Sequence, residues 1–172
     1  AYICICAREG RIYVTDELCV PGLTLGEAAL RLSELCRDKE VDFAVASPDL
    51  WNRRQDSGKS GFEIMQSVPG MPPMRPADDR RVPGWRLMRE YLADRPDGKP
   101  GLMISRRCRE LPALLFDKTR AEDASGEPHS VTHSPEALRY ALMSRFSAKS
   151  ELPVREEPLF RFRKKENDLF LD

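Results

Sequence analysis

Apolar and polar positions alternate at the start of the chain and then change to helical spacing. Residues 1–8 and 11–17 are rich in β-branched and aromatic side chains, and only Glu9 and Gly10 separate them. This pattern predicts an antiparallel β-hairpin. The capping-box pattern and the apolar spacing of residues 24–37 predict that a helix follows.

The middle of the chain alternates between an apolar run and segments that interrupt regular structure. Residues 41–47, VDFAVAS, are almost continuously apolar, which predicts a central strand buried on both faces. Residues 52–61 are polar and contain glycine, so they predict a loop, and residues 62–68 predict a short helix. The proline density of residues 69–76 predicts that no regular structure forms there.

The second half repeats the same alternation of helix and strand. Residues 84–93 have helical spacing, and residues 101–105 predict another buried strand. Residues 106–116 predict a helix with a break near Pro112. After a polar loop, the last helix is expected to begin at Ser134, and its spacing predicts that Leu138, Ala141 and Leu142 face inward.

The order of these elements predicts the fold class α/β, with a mixed sheet flanked by helices. A length of 172 residues suits one domain, which we expect to span residues 1–146. Residues 147–172 have little core pattern, so they predict a tail or a strand added to a partner. We find no internal repeat.

Charge and cysteine content narrow the functional classes. The 28 basic and 28 acidic residues cancel, so a binding surface must come from local clustering. No apolar run is long enough to span a bilayer and no secretory leader pattern opens the chain, which predicts an intracellular protein without a membrane partner. The five cysteines are odd in number and form no CxxC pair, so buried thiols are expected rather than a disulfide framework or a zinc site.

Two carboxylates and a histidine are the candidate chemistry. Asp49 directly follows the predicted central strand, and His133 and Glu136 stand at the start of the last helix. Asp49 could equally cap a turn, and Glu136 and His133 could cap the helix or favour its dipole. If Asp49 and Glu136 converge, however, they could hold Mg²⁺ or Mn²⁺ as in a metal-dependent nuclease.

Basic residues follow Asp49 in the chain and could bind phosphate groups. The candidate DNA-binding residues are Arg53, Arg54, Lys59 and Arg80, and Arg75 and Arg81 lie among them. A solvated charged surface interrupted by aspartates is the alternative for each. The stretch Ser57-Gly58-Lys59-Ser60 is not a P-loop, because Arg53 stands where the first glycine is needed.

Several segments together resemble a known family. The runs GRIYVTDEL, LTLGEAALRL, ASPDLW, GWRLMREYL, LMISRRCRELPALLFDKTRAED and HSPEALRYALMSR resemble, in this order, the C-terminal nuclease domain of the phage terminase large subunit. The last run is the most specific, since the family typically has His-x-x-Asp followed by Ala-Leu-Arg-Tyr. The resemblance covers about residues 3–146.

The resemblance implies an RNase H-like fold and an endonuclease that cuts concatemeric double-stranded DNA with a two-ion site of Mg²⁺ or Mn²⁺. It implies that Asp49 and Glu136 are metal ligands and that His133 accompanies them. It also implies, as partners, the terminase ATPase domain, the small terminase subunit and the portal protein, in the host cytoplasm of a phage or prophage.

The chain departs from the family pattern at two places. The family's acidic residue on the first strand has no counterpart upstream of AYICICA, and Glu136 stands where aspartate is usual. Asp16, Glu17 or Asp123 could replace the missing ligand, with exposed charge as the alternative. The departure motivates a second hypothesis, a catalytically inactive module that binds DNA or docks on the portal. A Holliday-junction resolvase is a third, weaker possibility.

Overall fold

The computed structural model describes residues 1–55, 57–115, 133–147 and 160–162. Its strands are β1 (Tyr2–Arg8), β2 (Arg11–Leu18), β3 (Lys39–Val41), β4 (Ala44–Ala46), β5 (Met74–Pro76), β6 (Leu102–Ile104) and β7 (Phe160–Phe162). Its helices are α1 (Leu25–Cys36), α2 (Gly61–Gln66), α3 (Arg81–Leu92), α4 (described over residues 111–115) and α5 (His133–Ser147), with a 3-10 turn, η1, at Pro48–Trp51. The prediction of a mixed α/β fold is confirmed.

The N-terminal hairpin is confirmed and forms most of the main sheet. Strands β1 and β2 pair antiparallel, and Glu9 and Gly10 between them have φ angles of 52° and 77°. Two positive φ angles are what a tight two-residue hairpin turn requires. Strand β6 pairs in parallel with β2, which gives the sheet order β1-β2-β6.

The main core lies where this sheet meets α3, α4 and α5. Leu138 and Leu142 of α5 are completely buried there, as their spacing predicted. A smaller second core joins α1 to α2 through Leu32 and Met65. The capping box that opens α1 is also confirmed, since Thr24 and Glu27 bind each other's backbone N–H groups.

The prediction of one central strand over residues 41–47 is wrong. The run divides into β3 and β4, which belong to different two-stranded sheets. Asp42 lies between them and is exposed, and the residues of β4 are only half-buried. Because a charged side chain inside the run stays in water, the run does not form one strand buried on both faces.

The prediction that residues 69–76 lack regular structure is also wrong, because they contain strand β5. Its ladder with β4 uses groups that proline leaves intact. The carbonyl of Pro73 accepts a hydrogen bond from Ala44 N–H (2.8 Å), and Ala77 N–H donates to the carbonyl of Ala46 (2.8 Å). A short strand on the edge of a sheet tolerates proline for this reason.

Two helices begin elsewhere than predicted. The described residues of α4 begin at residue 111, so the helix predicted from residue 106 is wrong at its start. Pro112 therefore lies in a first turn, where its missing N–H is not needed, and does not break the helix. Helix α3 begins at Arg81, with Pro83 likewise in its first turn.

The C-terminal segment contributes one described strand. Residues 160–162 form β7, which pairs antiparallel with β3 of the same chain. Among the helices that the structure describes, none is both long enough and apolar enough to cross a bilayer.

Candidate active site where strands β4 and β5 end

The parallel pair β4 and β5 brings two acidic segments to one edge of the fold. Their register aligns Ala46 with Pro76, and the hydrogen bond from Ala77 to Ala46 continues the pairing past the strands. The segments that follow, 47–49 and 77–80, therefore leave the sheet side by side. The carboxyl ends of parallel strands are a common place for reactive side chains in α/β proteins.

Asp49 lies in the first turn of η1 and is exposed. Its carboxylate accepts a hydrogen bond from the Ser47 hydroxyl (3.4 Å), and its carbonyl accepts one from Asn52 N–H (3.1 Å). No basic side chain of the described residues forms an ion pair with Asp49. Its carboxylate is thus open to solvent while its backbone is held in a turn.

Packing against α2 fixes the position of η1. The rings of Trp51 and Phe62 are stacked, with centroids 5.0 Å apart and planes 19° apart. Leu50 lies against Gly61, where an added Cβ would be 2.5 Å from Leu50 Cδ1. Because only glycine allows this approach, the turn that carries Asp49 is held close to the helix.

Glu136 lies in very different surroundings in the first turn of α5. Its Oε2 atom accepts a hydrogen bond from Arg139 Nε (2.7 Å) and lies 2.6 Å from Arg139 Nη2 in the same ion pair. Its Oε1 atom is 4.0 Å from Arg81 Nη2. The Arg139 side chain is 2% exposed and that of Glu136 is 19% exposed, so this ion pair is largely removed from water.

Arg139 joins this ion pair to the end of β5. Its Nη1 atom donates to the carbonyls of Asp79 and Arg80, at 3.1 Å each. Its side chain crosses α3 at Gly84, where an added Cβ would be 2.7 Å from Arg139 Cγ. The guanidinium also lies 4.5 Å from the centre of the Tyr140 ring. Through Arg139, the first turn of α5 is held against the segment that follows β5.

His133 is the first residue of α5 and is exposed. Residues three apart on a helix lie on the same side, so His133 and Glu136 share a face. The two residues after His133, Ser134 and Pro135, are buried. The histidine therefore stands at the rim of the same edge.

The carboxylates considered as a third ligand have other partners or lie outside the described residues. Glu17 accepts hydrogen bonds from the backbone N–H groups of Glu110 (2.7 Å) and Leu111 (2.9 Å), so it caps the start of α4. Asp16 forms an ion pair with Lys39 at 3.3 Å. Asp123 lies outside the described residues.

A metal site requires several oxygen, nitrogen or sulfur ligands close together within the described part of the chain. Within it, no group of three or more His, Cys, Asp and Glu side chains is arranged to hold a metal ion. Asp49 and the Oε1 atom of Glu136 have the hard oxygen chemistry that Mg²⁺ prefers. Oε2 of Glu136 is already engaged by Arg139. The described residues thus offer carboxylate oxygens of the type that Mg²⁺ accepts, without an arranged set of three ligands.

The basic loop after η1 is short and ordered by its own backbone. Arg53 pairs with Ser60 in an isolated β-bridge, and Arg54 N–H donates to the Lys59 carbonyl (3.1 Å). The side chains of Arg53, Arg54 and Lys59 are exposed on this loop. We call the segment that carries these three side chains the basic loop.

Arg80 and Arg75, by contrast, are engaged within the fold. Arg80 Nη2 forms an ion pair with Asp78 at 2.6 Å, and the Arg75 guanidinium lies 4.4 Å from the centre of the Phe43 ring. A phosphate group would have to compete with Asp78 for Arg80. Arg53 and Lys59, which are exposed, are therefore better candidates for phosphate contacts than Arg80, and Arg54 lies beside them in the chain.

Two residues of this edge were missed by reasoning from the sequence. Asp79 was interpreted only as part of a solvated charged surface, because the prolines around β5 gave no sign that a strand precedes it. Arg139 was noticed only as part of the run Ala-Leu-Arg-Tyr. A glutamate three residues before an arginine on a helix was the signal, because this spacing permits an ion pair.

The chain was compared with models of known protein families, with curated proteins and with solved structures. None of the three comparisons found a match. The functional inference therefore depends on the residues and their geometry.

Proposed function

We propose that this chain is a metal-dependent endonuclease module of RNase H-like fold, of the type found in the terminase large subunit of tailed phages. Its substrate is double-stranded DNA, and hydrolysis of the phosphodiester bond takes place at the edge where β4 and β5 end. One observation supports this more than any other. Asp49 follows β4, Asp79 follows β5, and Arg139 holds the first turn of α5, with Glu136, against the second of these segments.

The residues of this edge have separate roles in the proposal. Asp49 and Glu136 would hold the divalent cation, Mg²⁺ or Mn²⁺, which would activate water and neutralise charge at phosphorus. Arg139 limits the orientations of the Glu136 carboxylate, so that Oε1 is the atom left to bind. His133 shares a helix face with Glu136 and would help to orient that carboxylate at the rim of the site.

The basic loop then positions the DNA backbone. Arg53, Arg54 and Lys59 are exposed on a loop that begins shortly after Asp49. Contacts to phosphate fix the register of a protein on DNA and read little sequence. We therefore expect cleavage with little sequence preference. The remaining partners, the terminase ATPase domain, the small subunit and the portal protein, would concentrate this module on DNA.

Nicking of supercoiled plasmid in Mn²⁺ tests the proposal. Wild-type protein should convert supercoiled to open-circular DNA, and Asp49→Asn should reduce the rate below detection while the fold is retained. The matched control is Asp42→Asn, an exposed aspartate that precedes β4 at the opposite end of the strand. Equal nicking by wild type and Asp49→Asn would remove Asp49 from the mechanism.

A second function is favoured by the ion pair at Glu136. A carboxylate already bound by a buried guanidinium is a poor metal ligand, so the module could bind DNA or dock on the portal ring without cutting. In that case Asp49→Asn leaves DNA binding unchanged. The triple change of Arg53, Arg54 and Lys59 to alanine weakens DNA binding. The salt dependence of binding, log K against log [salt], should then become shallower by about 0.9 for each lost phosphate contact.

A further inference from the structure

Cys4 and Cys36 come from distant parts of the chain and meet inside the fold. Cys4 lies in β1 and is 4% exposed, and Cys36 is the last residue of α1 and is 8% exposed. Cys4 belongs to the main core and Cys36 to the smaller core between α1 and α2. We call Cys4 and Cys36 the thiol pair, and it lies at the junction of the two cores.

An ion pair between β2 and β3 holds the two sides of this junction together. Asp16 of β2 is the register partner of Cys4. Lys39 binds Asp16 at 3.3 Å and donates to the carbonyl of Leu35 at 2.6 Å. Because Leu35 directly precedes Cys36, Lys39 connects the end of α1 to the strand opposite Cys4.

The two thiols are not equivalent. The hydrogen bond between the two thiols raises the pKa of Cys4 and lowers the pKa of Cys36. Lys39 lowers the pKa of Cys36 further, while burial and Asp16 oppose this. Elsewhere in the core burial is the main cause of a raised pKa. The pKa of Cys6 is raised to about 11, although Arg145 and Arg8 oppose this, and that of Cys108 is raised to about 12 with help from Glu17 and Asp16.

We propose that Cys4 and Cys36 form a peroxide-sensitive thiol pair that closes to a disulfide between β1 and the end of α1. In the first step the Cys36 thiolate attacks hydrogen peroxide, its S–O bond forms, the O–O bond breaks, and hydroxide leaves. In the second step the Cys4 sulfur attacks the Cys36 sulfenic acid, and the Cys4 proton and the hydroxyl group leave as water. Cys36 is the attacking sulfur because thiolates are the nucleophilic form of cysteine.

Metal binding at the same place is the competing use of these side chains. Two thiols and the Asp16 carboxylate are ligand types that zinc accepts. Across the described residues, however, no three such groups are arranged around one point. A disulfide needs only the two sulfurs, and it would close the chain between residues 4 and 36. Such a closure stabilises the folded protein by restricting the unfolded chain.

Peptide mapping tests the proposal on the full chain. The native protein is treated with hydrogen peroxide, its remaining thiols are alkylated, and a non-reducing digest is analysed by mass spectrometry. We expect a linked pair of peptides containing Cys4 and Cys36, lighter by two hydrogen atoms than the separate peptides. We also expect the midpoint of thermal unfolding to rise by several degrees on oxidation and to return after reduction by dithiothreitol.

The controls separate the thiol pair from its neighbours. Cys36→Ser should abolish the link and the thermal shift, whereas Cys6→Ala, two residues from Cys4 on the same strand, should keep both. If Cys36→Ser does not fold, Cys36→Ala replaces it, and the map of the wild-type protein decides by itself. The proposal is overturned if Cys4 and Cys36 are both recovered alkylated after peroxide has oxidised the exposed Cys19, or if Cys4 is linked to Cys6.

Discussion

Asp49 and Glu136 are the same kind of side chain in two very different regions. Asp49 stands in an exposed turn, and among the described residues its carboxylate is bound only by the Ser47 hydroxyl. Glu136 is held by a buried arginine that makes two further hydrogen bonds to backbone carbonyls. The Asp49 carboxylate is open to solvent, whereas one oxygen of Glu136 is engaged in the framework of the fold.

The two regions should differ in how much the free energy of unfolding changes when residues there are substituted. A half-buried charge is tolerated because its partner compensates the lost hydration, so removing the partner leaves a penalty. An exposed charge keeps its water and has little effect on folding. Changes around Glu136 should therefore lower stability, whereas changes at Asp49 should alter only binding and activity.

The largest expected effect comes from Arg139→Met. It leaves Glu136 without its partner and two backbone carbonyls without their donor, so the free energy of unfolding should fall by about 3–5 kcal/mol. Urea denaturation followed by circular dichroism measures this. The control is Arg86→Met, since that exposed arginine pairs with Glu90 on the surface of α3 and should cost less than about 0.5 kcal/mol. Equal losses in the two variants would show that Arg139 does not hold the framework.

The next effect is expected at the crossing of α3 and α5. In Gly84→Ala the new methyl group would lie 2.7 Å from Arg139 Cγ, so Arg139 has to move away from Glu136. Overpacking of this kind costs about 1–3 kcal/mol. The matched control is Gly26→Ala in α1, where nothing lies within 4 Å of the added Cβ. That control should stabilise the protein by about 0.4–1 kcal/mol, and destabilisation of the same size in both variants would contradict the close crossing.

A third carboxylate, Glu17, extends the comparison because both of its oxygens accept hydrogen bonds from backbone N–H groups. Glu17→Gln should weaken the cap of α4 and cost about 1 kcal/mol. Hydrogen exchange should quicken at the backbone N–H groups of Glu110 and Leu111 and stay unchanged in the control Glu40→Gln, an exposed glutamate of β3. Loss of Mn²⁺ binding with no change in exchange would make Glu17 a metal ligand instead.

The smallest effect on stability is expected at Asp49. Asp49→Asn should change the free energy of unfolding by no more than about 0.5 kcal/mol, as for most surface substitutions. It should nevertheless remove any rise in the unfolding temperature that Mn²⁺ gives the wild-type protein, because a ligand that binds only the folded state stabilises it. A thermal shift titration measures both. A Mn²⁺ shift that survives in Asp49→Asn places the cation elsewhere.

Local patterns were the part of the fold that could be predicted. The hairpin follows from Glu9 and Gly10, which adopt positive φ, and α1 follows from the reciprocal cap of Thr24 and Glu27. The inward positions of Leu138 and Leu142 follow from helical spacing. In each case the residues that decide the structure are neighbours in the chain, so their pattern is readable without coordinates.

The errors arose where pairing partners are distant. A proline-dense segment became β5 because β4 was beside it, and an apolar run divided because its two halves met different strands. Strand pairing depends on which segments become adjacent, and a single sequence does not give this. Asp79 was missed for the same reason, since its importance depends on the strand that precedes it.

The sequence by itself determined the class of the fold, the hairpin, the capped helices and a short set of candidate side chains. Only the tertiary structure decided which of those side chains are engaged. It bound Glu136 to Arg139, used Glu17 as a helix cap, left Asp49 exposed and brought the free thiols of Cys4 and Cys36 together. The physical reason is that a side chain's charge state and availability depend on burial and on partners, and those partners lie far away along the chain.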